Sequence, residues 1–399
     1  MTKWKSAIVD ADRNKDWKDR LKRSIRDVQW SESLQLIVDK ILGDERLNVT
    51  DGCNLFECKN LNELGHLANL HKIAMFDNNA YFNSNVHINQ TNICVLACRF
   101  CAFRRGPKAS DAYALSIDEY LSELEKFSSF VNEVHSVGGL HPEWDIDHYC
   151  SLFKRIKKEH PHVSIKALTA VEIKHLSQVS NLSIRDTLLR LQEAGLTSLP
   201  GGGAEILDDD VRQIICNGKE SSQEYLDIHE VAHDIGLPSN CTMLFGTIET
   251  SKQRVEHMIQ LRDLGHRTKG FQCFVPYPFL PDSTRLPMAQ LSTGQEILRV
   301  IAVSRIMLDS IPHIKAYRMN IGDSMAELAL QFGADDIDGT VKQESIMHLA
   351  GSKAPLDYGV NQLAKLVTRS GNIPIKRNTT YSEFEKFVPA KEPRRLPVV

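Results

Sequence analysis

Three of the nine cysteines of this 399-residue chain, Cys94, Cys98 and Cys101, fall within eight residues in the run HINQTNICVLACRFCAF. A C-x3-C-x2-C spacing inside one loop lets three thiolates converge on one inorganic centre. It is one ligand short of a closed four-cysteine site. A structural zinc could be completed by a histidine, with His87 the nearest, although such sites usually bring two separated pairs of ligands. A chance group of buried thiols is the blandest reading. The third reading is a [4Fe–4S] cluster with three irons held by the cysteines and one left open. An open iron can be chelated by the amino and carboxylate groups of S-adenosylmethionine, a cofactor that carries radical chemistry no side chain performs. Cys53, Cys58, Cys150, Cys216, Cys241 and Cys273 have no partner at ligand spacing and read as small buried hydrophobes.

Other candidates stand just after short apolar runs. Gly138 and Gly139, in GGLHP, permit close backbone approach to a ligand or simply a tight turn. Gly201, Gly202 and Gly203 lose much chain entropy on ordering unless something must come close, and Glu205 behind them can accept from a ribose. Glu172 and Glu249 occupy similar positions in KALTAVEI and FGTIET, as do His87, Asn89 and His141. Arg285 in PDSTRLP and Arg318 in KAYRMN could each grip a carboxylate with two parallel hydrogen bonds; the alternative is a surface arginine.

The elements that must position these residues alternate from Val86 onward. Apolar runs at 86–89, 131–137, 163–169, 196–199, 239–245, 270–275 and 313–319 read as strands separated by amphipathic helices. Ser116 with Glu119 and Ser221 with Glu224 make capping boxes, and Gly195, Gly236 and Gly265 are placed to close helices. Strict strand–helix alternation points to an α/β fold, a parallel (β/α) barrel of TIM type, complete or partial, more than to an open sheet. Ligands then gather at the carboxyl ends of the strands. An N-terminal helical segment is expected over 1–80, the barrel over 81–325 and an extension over 326–399, with QFGADDIDGT read as loop and the last ten residues as a frayed end.

With 48 Lys plus Arg against 51 Asp plus Glu, no overall basic field exists to attract nucleic acid. The charged N-terminus has no apolar signal-like core, no membrane span is visible, and the odd cysteine count suits reduced thiols. A cytoplasmic protein is expected.

In order, the segments HINQTNICVLACRFCAF, SVGGLHPEW, KALTAVEI, SLPGGGAEIL, TMLFGTIET, GFQCFVPYPF, IPHIKAY and GADDIDGTV resemble the aminofutalosine synthases of the radical SAM superfamily. The aromatic Phe100 before the last cysteine belongs to that motif. The resemblance implies a radical SAM barrel with a [4Fe–4S] cluster on the three cysteines and S-adenosylmethionine as consumed co-substrate. Phe100, Gly138, Gly139, Gly201, Gly202, Gly203, Glu205 and Glu249 would serve the cofactor, and His87, Asn89, His141, Glu172, Arg285 and Arg318 a small carboxylate substrate. The implied reaction joins the 5′-deoxyadenosyl group to 3-[(1-carboxyvinyl)oxy]benzoate, giving 6-amino-6-deoxyfutalosine for menaquinone synthesis, with electrons from a donor such as flavodoxin or ferredoxin. Dehypoxanthine futalosine cyclase and deazaflavin (FO) synthase are the related alternatives, and an iron–sulfur redox sensor the non-enzymatic one. One departure is Arg318, which follows IPHIKAY where the family would carry tryptophan.

Overall fold

A computed structural model describes residues 12–390; the first eleven residues of the helical segment expected over 1–80, and all but the first of the last ten residues expected to fray, lie outside the described residues. Four helices come first: α1 (Trp17–Ile25), α2 (Glu32–Leu42), α3 (Val49–Glu57) and α4 (Leu61–Phe76). Leu34, Ile37, Leu55, Leu64 and Leu67 on these helices are buried. They join one continuous core with the strands and helices that follow.

The strands are β1 (Asn79–Asn83), β2 (Asn85–His87), β3 (Glu133–Ser136), β4 (Ser164–Ala167), β5 (Leu196–Ser198), β6 (Ser239–Phe245), β7 (Phe271–Pro278), β8 (His313–Ile314), β9 (Asp336–Gly339), β10 (Ile373–Arg377) and β11 (Phe384–Lys386). β2 to β5 pair in sequence order and in parallel, as do β6 to β8. Single parallel bridges, Leu199 to Ser239 and Lys315 to Asp336, carry the ring across the two gaps. It closes where β9 pairs with β1 and the His87 N–H donates to the Val341 carbonyl, 2.9 Å. The fold is therefore a closed parallel α/β barrel, with β10 and β11 continuing beyond β1 outside the ring.

Each of the seven expected strands has a counterpart, but the one expected over 313–319 is cut to His313–Ile314, with Arg318–Ile321 helical, and the C-terminal boundary differs. The stretch read as loop contains β9, so the chain past 325 returns to complete the barrel. Asp336 and Asp338 alternate with Ile337, whose side chain packs in the apolar core. A strand with acidic residues on its interior face looks like a turn by composition, and only the cations opposite reveal it.

Both capping boxes form, and Gly195 and Gly236 follow their helices with positive φ. Gly265 does not end its helix, which runs on to Thr268 and is closed by Lys269 at φ 54°. A Cβ on Gly265 would stand 3.0 Å from Ser310 Oγ, so close packing explains this glycine. Among the described residues no helix is long and apolar enough to cross a membrane.

Candidate functional site

A cavity of about 290 Å³ opens at the carboxyl ends of the strands, and Cys94, Cys98 and Cys101 line one end of it. A larger hollow of about 500 Å³, walled by Trp17, Lys22, Arg262 and Asp309, holds none of the candidate site residues. The cysteine loop leaves β2 and is pinned before it reaches the thiols. Thr91 Oγ1 donates to the Tyr113 carbonyl at 2.6 Å, and Asn92 Nδ2 to that of Asp111 at 2.8 Å. Gly139 packs beneath the loop: its N–H donates to the Thr91 carbonyl, and a Cβ there would overlap the Ile93 carbonyl. From the other side Arg104 Nε donates to the Leu96 carbonyl at 2.9 Å, and Arg285 Nη2 to those of Ala97 at 2.8 Å and Cys98 at 3.2 Å.

All three thiols are free. Burial raises Cys101 and pushes Cys98 up to about 12, with Lys219 nearby drawing Cys98 back. Among the described residues no three His, Cys, Asp or Glu side chains stand close enough to hold a single ion. His87, the candidate fourth zinc ligand, has its Nε2 3.8 Å from Asp338. A cubane cluster takes each thiolate on a different iron and so accepts wider spacing. Three free thiols from one braced loop, opening on one cavity, fit that group.

Phe100 lines the cavity beneath the Lys219 ammonium, 5.4 Å from its ring centre, and Lys219 pairs with Glu205 at 2.5 Å. Burial works against the Lys219 charge, but Glu205, Cys98 and Glu220 raise its pKa above the ordinary lysine value. Gly201, Gly202 and Gly203 form the adjoining wall. A Cβ on Gly201 would stand 2.5 Å from the Cα of Cys241, and its carbonyl accepts from both Tyr225 and Thr242 at 2.8 Å. Glu172 joins two loops: its carboxylate accepts from the Gly138 N–H at 3.1 Å and the Thr169 N–H at 2.7 Å. Burial raises its pKa despite these donors.

The opposite end is aromatic and polar. His87 stacks on His135 with ring centres 4.4 Å apart, and Tyr317 lies parallel to His87 at 6.4 Å. Burial keeps both histidines neutral, His135 being lowered to about 3. His87 Nε2 is buried without a hydrogen-bond partner. Asn89 is held by its donation to the Val137 carbonyl at 2.9 Å. Beneath them Lys315 Nζ meets Asp338 at 2.5 Å.

Five residues expected in the site stand outside the cavity lining. Arg285 is exposed and spends its guanidinium on the cysteine loop. Arg318 is buried, lies 4.5 Å over the Tyr358 ring and pairs with Asp323 at 3.3 Å, so the departure from tryptophan falls behind the wall. Glu249 accepts from the N–H groups of Gly246 and Thr247 and pairs with Arg254, holding the turn after β6. His141 stacks on Trp144 at 4.5 Å. Gly139 also stays outside, acting through the loop above it. Conversely, His135, Lys219, Tyr277, Lys315, Tyr317 and Asp338 line the cavity without having been singled out. Alternation along the strands carrying His135, Lys315 and Asp338 was the available signal; Lys219 offered none.

Residues 88–261 match the family model described as the radical SAM superfamily, and 268–390 that described as the CofH/MqnC C-terminal region. The chain is similar to the aminodeoxyfutalosine synthase of Thermus thermophilus, 38% identical over 366 residues that span 90% of this chain and 97% of that protein. The Streptomyces coelicolor aminodeoxyfutalosine synthase is also 38% identical, with the same coverage. The cyclic dehypoxanthine futalosine synthase of Streptomyces coelicolor is 36% identical, covering 78% of this chain and 77% of that one. Among solved structures, methylornithine synthase superposes with a TM-score of 0.68 at 19% identity, covering 84% of this chain and 96% of its own, which speaks to the fold alone.

Proposed function

We propose, because the chain belongs to the radical SAM superfamily and within it to the family of the aminodeoxyfutalosine synthases and their relatives, that it joins the 5′-deoxyadenosyl group of S-adenosylmethionine to 3-[(1-carboxyvinyl)oxy]benzoate. The product would be 6-amino-6-deoxyfutalosine. The observation that carries this reading is that three free cysteines at C-x3-C-x2-C open on the same cavity as the strand ends of a closed barrel. Identity of 38% over 97% of a synthase, against 36% over 77% of one cyclic dehypoxanthine futalosine synthase and 29% over 96% of another, favours addition chemistry.

Cys94, Cys98 and Cys101 would hold a [4Fe–4S] cluster. When bound, that cluster supplies the electron that cleaves the sulfonium of S-adenosylmethionine. The chain's own residues then have separable tasks. The glycine wall 201–203, with Phe100, Glu205 and Gly138, shapes the space for the adenosyl and methionine parts. His87, Asn89 and Glu172, with His135, Tyr277 and Tyr317, face the substrate end, where flat rings suit an aryl group. The enclosing walls keep water and stray reductants from reactive species. Lys219 and Lys315 are each ion-paired, so N–H and O–H donors such as Asn240 and Tyr277 are left to meet substrate carboxylates.

The fate of the adenosyl group tests the reading. Anaerobically reconstituted protein given ribose-labelled S-adenosylmethionine, dithionite and the enol-ether benzoate should move the label into a larger nucleoside in step with methionine release. Substrate-dependent accumulation of labelled 5′-deoxyadenosine as the main product would instead select the cyclase chemistry.

The brace on the cysteine loop gives a second expectation. Arg285→Ala should leave the KM for the benzoate within about twofold, while iron retained through gel filtration drops, because the lost bonds are to loop carbonyls, worth ~1.5 to 3 kcal/mol with a charged donor. A large rise in KM at full iron content would return Arg285 to substrate binding.

A further inference from the structure

A buried ion pair stands at the cysteine end of the cavity, and the backbone fixes both of its members. Glu205 sits at φ 46°, a left-handed conformation that is costly for a non-glycine residue, and its carbonyl accepts from the Leu244 N–H at 2.8 Å. Lys219 follows Gly218 at φ 90°, and its N–H donates to the Cys216 carbonyl at 3.2 Å. That turn is tied to the cysteine loop by the bond from the Arg99 N–H to the Ile215 carbonyl at 2.8 Å. The two side chains meet at 2.5 Å with 9% and 13% of their surface exposed. The ammonium is the end turned to the thiols. It stands over Phe100, which lies between Cys98 and Cys101 in the chain, draws down both thiols, and on Cys98 outweighs Glu205. The other charges nearby are balanced or screened: Arg212 pairs with Glu220 at 3.5 Å, and Arg99, Arg104 and Arg285 are half-buried or exposed.

We propose that Lys219 and Glu205 form a fixed dipole that sets the reduction potential of the cluster, its positive end toward Cys98 making the cluster easier to reduce. This rests on the cluster assignment above. Reduction adds one electron, and with it one negative charge, to the cluster; no bond in the chain forms or breaks. A buried positive end stabilises the more negative state, because charges act on each other more strongly in a low-dielectric interior than in water. Charge near the cluster is one of the levers that spread the potentials of iron–sulfur centres. Glu205 tempers the effect and, against burial, keeps the lysine charged. Both residues then act on the cluster through space, by position and charge.

The test is a redox titration of reconstituted full-length protein, with dithionite as the reductant and S-adenosylmethionine left out, following the visible band. At the wild-type midpoint, Lys219→Met should lower the ratio of reduced to oxidised cluster at least tenfold, a shift of about 59 mV to more negative potential for a one-electron couple. Glu205→Gln should move the midpoint the other way, since Cys98 and Glu220 still support the ammonium. Lys219→Arg keeps the charge and should stay near the wild type. Opposite signs are what a merely structural pair would not give, because loosening the loop moves both variants alike. A wild-type midpoint in Lys219→Met, or shifts of one sign in both variants, would overturn the proposal. If Lys219→Met loses its iron, Glu205→Gln decides, and a midpoint there that is unchanged or more negative overturns it as well. A wild-type midpoint in Lys219→Met with weakened S-adenosylmethionine binding would make the lysine a ligand contact instead. A wild type that takes up no iron would remove the cluster reading itself, a result separate from all of these.

Discussion

Replacing Cys94, Cys98 or Cys101 singly by Ala should strip the iron from the reconstituted protein and reduce turnover to background. The three thiols line one cavity, with Cys94 close enough to Cys101, and Cys101 to Cys98, to raise the neighbour's pKa. A cluster held by three thiolates that loses one keeps two points of attachment, and a partly exposed loop cannot shield it from dissociation. Burial holds the Cys98 thiol near 12 in the metal-free chain, so metal must drive its deprotonation, and the site gains its order from what it binds. Cys216 makes the decisive control. It is buried close enough to Cys98 to raise its pKa, yet lies outside the cavity lining. Cys216→Ala should keep about four irons and its activity. Full activity in any one of the three loop variants, or stoichiometric zinc in the wild type, would sink the assignment.

How far the sequence can be read depends on how local the cause is. The cysteine loop is legible because three ligands within eight residues need no knowledge of the fold. The glycines and Glu172 are legible as residues following strands, since a parallel barrel places every such position at one end. What position alone misses is direction. Arg285, Glu249 and Arg318 all follow strands, but the turns they belong to aim them at loop carbonyls, at backbone N–H groups and at Tyr358. The barrel interior is hidden for another reason. Lys315 and Asp338 lie 23 residues apart in sequence and Arg377 and Asp336 lie 41 apart, so each charge read alone is a surface residue. Their pairing appears only when the barrel sets β8 beside β9 and puts β1 between β9 and β10, and β9 goes unread with them.

That closing strand carries the other large effect: Lys315→Met should destabilise the fold by about 3 to 5 kcal/mol at pH 7, the range for orphaning one partner of a buried pair. Lys315 is buried, with its ammonium 2.5 Å from Asp338 and 3.7 Å from Asp336. Asp336 has other support, from Arg377 at 2.6 Å and the Tyr381 hydroxyl at 2.8 Å. Asp338 has Lys315 as its close ion-pair partner, with His87 at 3.8 Å and the charge of Arg377 adding less. In the wild type, burial opposes the Asp338 charge, but Lys315 outweighs it and holds the carboxyl below the ordinary range. Its stabilisation is therefore present above the unfolded pKa, ~3.9, and fades as pH falls through the folded one. Without the ammonium the largest influence countering burial is gone, leaving His87 and Arg377, and the Asp338 pKa rises, so the carboxyl takes a proton more readily. The Lys315→Met penalty should then shrink between pH 7 and pH 5, and Lys315→Met with Asp338→Asn should recover part of it at pH 7. Urea unfolding of the two variants at both pH values decides the matter. A penalty under about 1 kcal/mol, or one indifferent to pH and to the second substitution, would mean that β9 does not depend on this pair to close the barrel.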